Sequence, residues 1–181
     1  DNNTYMKILP ATQICIPFDE VVSTGKLRIS FDAKLNNQCG LLRFSQIDNS
    51  VNDNAKDWGQ SEDLTKVNNN LFFDIFSDKT DSNIRYVKYL NKWARYTLEW
   101  TFAETDIDAS SANAKITLNI NDEKIAEIPN RAKPKAFGLS YYSMLKGYTY
   151  GPDVPMYLDN LCVEHYPDGT YKGLKMSAEY D

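Results

Sequence analysis

In KLRISFDAKL, residues 26–35, apolar and polar side chains alternate without a break. Leu27, Ile29, Phe31, Ala33 and Leu35 lie on one side and Arg28, Ser30, Asp32 and Lys34 on the other. A period of two is the side-chain period of an extended strand, and a helix would scatter those five apolar groups around its axis. The segment is therefore a strand with one face on a core and one face wet. Noisier versions occur in LLRFSQI, NLFFDIFSD and IRYVKYL, and a clear one in WARYTLEWTF, where Tyr96, Leu98, Trp100 and Phe102 share a side. KITLNINDEKIAEIP alternates through Ile116, Leu118 and Ile120, breaks at Asn121 to Lys124, and resumes at Ile125 and Ile128. Asn and Asp accept tight-turn backbone angles, so this piece predicts a β-hairpin. AFGLSYYSM and MYLDNLCVEHY add two strands near the end. The most helical piece, SEDLTKV behind Ser61, is long enough for one or two turns. Many short strands separated by turn signals predict an all-β fold, an antiparallel sandwich or barrel.

A chain of 181 residues fits one such domain. Residues 1–168 are assigned to it, and residues 169–181 to a tail or the opening of a following module. The formal charge of -5 is spread along the chain with neither sign in a block. That argues against a nucleic-acid partner, which needs a clustered basic face. No apolar run reaches the ~20 residues of a membrane-spanning helix, so no membrane insertion is expected. The first ten residues lack the charged and apolar regions of a signal peptide. Cys15, Cys39 and Cys162 cannot all pair within one chain, and their spacing fits no zinc pattern. Buried free thiols are the plain reading, with one disulfide and one free thiol the alternative.

The order of these pieces resembles the concanavalin A-like lectin and glucanase superfamily, a jelly roll of two curved antiparallel sheets. KLRISFDAKL is similar to its early strand. KWARYTLEW followed by KITLNINDEKIAEIP is similar to its tryptophan strand and the hairpin after it, and MYLDNLCVEHY to its closing strand. The match spans residues 26 to 166. It implies a secreted or cell-surface, multidomain bacterial protein in which domains of this kind serve as carbohydrate-binding modules beside neighbouring domains of the same chain. It also implies a structural calcium ion near the closing strand, for which Asp159 is the candidate ligand, with the role of a hydrogen-bonding bulge residue as the equal alternative for Asp159. The Asp/Asn-rich run DNSVNDNAKD lacks the glycine and final glutamate of an EF-hand loop and reads as a polar loop.

Retaining glucanases of this superfamily carry Glu-x-Asp-x-x-Glu on one strand, and two carboxylates about 5–5.5 Å apart do the chemistry. No such string occurs here; Glu99, Glu104, Asp106 and Asp108 straddle a strand end and a loop. The superfamily's lyases use a Gln-x-His that is also missing. His165, the single histidine, sits beside Tyr166 and Pro167 and is assigned a structural or solvent-exposed role. The expectation is thus a non-catalytic module. Sugar rings stack their C–H faces on aromatic side chains while polar neighbours bond the hydroxyls. Tyr96, Trp100 and Phe102 are assigned to the core, and Trp93 to a cap over it. Trp58 stands in a long polar connection, and Tyr148 and Tyr150 in a loop bounded by Gly147 and Pro152; Tyr142 falls on the polar side of its strand. These four, with Arg43, are the candidate polysaccharide ligands. Arg28, Lys34, Arg43 and Arg85 on wet strand faces suit a uronic-acid or sulfated glycan, or serve only as a charged surface. The alternatives are a structural or adhesion module without a sugar ligand, and a divergent glycoside hydrolase or polysaccharide lyase.

Overall fold

The computed structural model describes residues 4–36, 40–48, 73–76, 84–85, 89–102, 114–130, 133–145, 149–150, 153–167 and 172–173. The described residues form strands β1 (Met6–Ile8), β2 (Thr12–Pro17), β3 (Lys26–Leu35), β4 (Gly40–Asp48), β5 (Phe73–Phe76), β6 (Ile84–Arg85) and β7 (Trp93–Thr101). Then come β8 (Lys115–Ile120), β9 (Glu123–Pro129), β10 (Pro134–Leu145), β11 (Thr149–Tyr150), β12 (Met156–Tyr166) and β13 (Lys172–Gly173). They build two sheets. The first runs β1-β12-β3-β7-β8-β9 with β13 also on β12; the second runs β11-β10-β4-β5-β6 with β2 also on β10. All pairs are antiparallel except β5–β6, which is parallel.

The alternation read from the sequence sets the burial. On β3, Leu27, Ile29, Phe31 and Ala33 are completely buried, and on β7 Ala94, Tyr96, Leu98 and Trp100 turn the same way. The second sheet answers with Leu42 and Phe44 from β4 and Phe137, Leu139 and Tyr141 from β10. One core joins the sheets face to face, as in aligned sandwiches. Phe31 stacks on Tyr96 with centroids 5.3 Å apart and meets Phe44 of the other sheet edge-on at 5.8 Å. Trp100 stands edge-on to Phe137 at 6.0 Å. Its indole N–H donates across the core to Gln46 Oε1 at 2.7 Å, which satisfies a donor that burial would otherwise leave bare.

The predicted hairpin joins β8 and β9 through Asn121 and Asp122, whose φ angles of 48° and 65° are those of a two-residue type I′ turn. Gly25 opens β3 at φ 68°, pressed so close to the end of β12 that a β-carbon there would overlap the Tyr166 carbonyl. Any other residue would have to move that strand end.

Two expectations need correcting, those for IRYVKYL and for Trp93. IRYVKYL is extended only at Ile84–Arg85 among its described residues, and Tyr89 folds into the core in a short turn. Trp93 does not cap the core. It pairs with Lys34, in the opposite phase to Ala94, and is 45% exposed on the outer face of the first sheet. Beyond residue 168, Lys172 and Gly173 pair with His165 and Glu164 of β12. SEDLTKV lies outside the described residues.

Candidate functional site

β10 carries large residues inward and small ones outward. Phe137, Leu139 and Tyr141 enter the core, while Ala136, Gly138 and Ser140 take the opposite phase and form a strip of small residues on the other side of the second sheet, where they too are buried. Longer side chains from the flanking strands border it. Ser140 is paired with Gln13 of β2 on one side and Arg43 of β4 on the other, and Arg43 in turn with Asp74 of β5. Tyr142 stands two residues along β10 on the same face. Its hydroxyl accepts the Gln13 Nε2 hydrogen bond at 2.9 Å.

Two of the sequence candidates, Tyr142 and Arg43, are thereby brought within one cross-strand diagonal of each other. Tyr150 lies on β11, paired with Met144 at the end of β10. Trp58 and Tyr148 lie outside the described residues. Gln13 was missed by sequence reasoning because TQICIP reads as a nearly continuous apolar run when Cys15 is counted as apolar, and Ser140 because a lone serine on a strand that was placed, AFGLSYYSM, reads as an ordinary wet-face residue. The signal for Gln13 was the spacing of Ile14 and Ile16 around Cys15, which marks Thr12–Pro17 as a strand with Gln13 and Cys15 outward.

Two buried polar atoms of this strip have no hydrogen-bond partner. Ser140 is 1% exposed, and its hydroxyl has no hydrogen-bond partner; neither has Gln13 Oε1. A buried polar atom left unpaired costs about 1–3 kcal/mol, so such atoms mark a place where another partner belongs. A serine hydroxyl both donates and accepts, an amide oxygen accepts, and a guanidinium donates. Cys15, outward beside Gly138, has its thiol pushed up to about 11 by burial, so it stays protonated and is no nucleophile near neutrality.

The remaining sequence candidates fall elsewhere. His165 is buried, with Nε2–H donating to the Thr24 carbonyl at 3.0 Å and Nδ1 3.8 Å from Glu20, an arrangement that ties β12 to the chain entering β3. Asp159 sits at a bulge in β12 opposite Asp32, and its Oδ1 accepts the Asn160 backbone N–H at 2.7 Å. Asp32 is itself held by Arg95 at 3.3 Å and by the Asn160 side-chain amide at 2.7 Å. This donor set does not suit calcium: a guanidinium already neutralises Asp32, and Asp159 closes the bulge. Among the described residues no three His, Cys, Asp or Glu side chains gather in one place. Arg28 and Lys34 project from β3 on the outer face of the first sheet, opposite to Arg43, and Arg28 is engaged by Glu99 at 3.0 Å.

No protein-family model matches the chain, and no curated protein sequence does. Several solved structures are similar to it at low identity. One is the carbohydrate recognition domain of Emp46p in its potassium-bound form, 9% identical, with TM-score 0.45 over 87% of this chain and 86% of that one. Another is a glycoside hydrolase family 16 endo-glucanase from Bacteroides ovatus, 12% identical, with TM-score 0.47 over 90% and 82%. A third is the galectin LEC-6 of Caenorhabditis elegans, 13% identical, with TM-score 0.39 over 88% and 96%. Likenesses of this size assign the chain neither a family nor a ligand.

Proposed function

We propose that the domain is an extracellular, non-catalytic module that binds a polysaccharide along the outer face of the second sheet. The observation that carries the reading is the Ser140 hydroxyl, buried away from the core with no partner, in a strip bordered by Gln13, Arg43 and Tyr142. A sugar hydroxyl is both donor and acceptor, and it complements a serine hydroxyl and an amide oxygen that are each waiting for a bond. The phenol ring of Tyr142 adds an apolar surface for a pyranose C–H face.

Affinity electrophoresis through gels containing different polysaccharides tests this. At least one neutral or acidic polysaccharide retards the wild-type domain, and Tyr142→Phe, which removes the hydroxyl that holds Gln13, weakens retardation by roughly threefold to tenfold, about one hydrogen bond. Retardation by none of them would overturn the binding reading. Release of reducing ends would overturn the non-catalytic one.

A further inference from the structure

The outer face of the first sheet carries a different constellation. Lys7 of β1, Tyr157 of β12, Lys34 of β3 and Trp93 of β7 are successive register partners, so they form one straight row across four strands. Strands lie about 4.8 Å apart, and cation and ring therefore alternate at that spacing. Tyr5, two residues before Lys7 and on the same face, bridges the rings. Its centroid is 5.0 Å from that of Tyr157 and 5.9 Å from that of Trp93, edge-on to both. Tyr5 is 49% exposed and Trp93 45%.

Large aromatic side chains are normally spent on a core, and an exposed cluster of them marks a contact surface. The lysines say what kind. Along the rest of this face the cations are matched: Lys26 and Arg28 by Glu99, and Arg95 by Asp32. Lys7 and Lys34 have no ion-pair partner among the described residues. In a chain with formal charge -5, two unmatched ammonium groups thus stand in one row with exposed rings.

We propose that this row is a second binding surface, for an acidic polysaccharide whose pyranose faces lie against Trp93 and Tyr5 and whose anionic groups meet Lys34 and Lys7. Stacking and charge each supply part of the affinity, so neither alone suffices.

The test is electrophoretic retardation of the intact domain by polygalacturonate, a polycarboxylate, and by dextran sulfate, with dextran as the uncharged control. Wild type is retarded by at least one polyanion and not by dextran, and the effect fades as salt rises, because exposed charges are screened within about 8 Å at physiological ionic strength. Trp93→Ala and Lys34→Gln each weaken retardation by roughly threefold to tenfold, and Lys26→Gln, the same charge change at a cation already paired with Glu99, does not. Both side chains point away from the second sheet, so the result is independent of Ser140 and Tyr142. Retardation by neither polyanion, unchanged retardation in both variants with the native near-ultraviolet dichroism intact, or a wild-type dimer that Trp93→Ala dissociates would overturn the proposal.

Discussion

Ser140→Ala is the substitution that separates stability from binding. In the folded chain the Ser140 hydroxyl has left water, is 1% exposed, and has no hydrogen-bond partner in return. A hydroxyl in that position carries a desolvation cost of about 1–3 kcal/mol. Alanine fills almost the same space and leaves the paired backbones of Gln13 and Arg43 untouched. The loss of one oxygen creates no cavity of consequence. Taking the low end, because alanine suits strands slightly less well than serine does, the variant gains about 1 kcal/mol. For a domain of this size that is about 2–4 °C in Tm. Thermal and urea unfolding followed by near-ultraviolet dichroism measure the gain, and affinity electrophoresis measures the binding. The expected pair of results is a more stable protein that holds its polysaccharide less well. Destabilisation by 1 kcal/mol or more would mean that the hydroxyl already has a partner in the unliganded protein, and the reasoning that makes the strip a binding site would fall.

Two further predictions follow from the packing. Gln46→Leu strips the buried Trp100 indole of its acceptor and lowers stability by about 1–3 kcal/mol, whereas the double variant with Trp100→Phe costs less than the sum of the singles; urea midpoints that add within about 0.5 kcal/mol refute the coupling. Burial raises the folded Cys15 thiol to about 11 from an ordinary value of 9.0, so the unfolded chain loses this proton first: the contribution is intact below pH 9 and disappears between pH 9 and 11. Wild type should therefore lose more of its urea midpoint over that window than Cys15→Ala, and parallel curves would contradict the assignment.

KLRISFDAKL and MYLDNLCVEHY coincide with β3 and β12 residue for residue; the first alternates without a break, and the second changes phase at the bulge between Asp159 and Cys162. Where both faces are covered the period fades. β2 hides Cys15 on its outer side, so nothing polar interrupts Ile14 to Ile16 except a thiol, and with β2 unseen the partner of Tyr142 was unseen too. Register was equally illegible: the sequence puts Arg28, Lys34 and Arg43 on wet faces but cannot tell that β3 and β4 belong to different sheets. Trp93 was misplaced for a related reason. Its neighbours Ala94 and Tyr96 set the inward phase, and hydrophobicity alone favoured burying the larger ring. The Tyr142 orientation, by contrast, follows directly from Phe137, Leu139 and Tyr141 turning inward.

The separation of Arg43 from Lys34 by the whole thickness of the sandwich has a mechanical meaning. Their sheets face each other across one core, so the side chains leave the molecule in opposite directions. One extended polymer cannot lie along both surfaces at once. A domain loaded on both faces therefore joins two strands of polymer, and each contact raises the effective concentration of the other. Under the two proposals such a molecule would act in a polysaccharide matrix as a rivet, felt in the stiffness of the gel as much as in the fraction of protein retained.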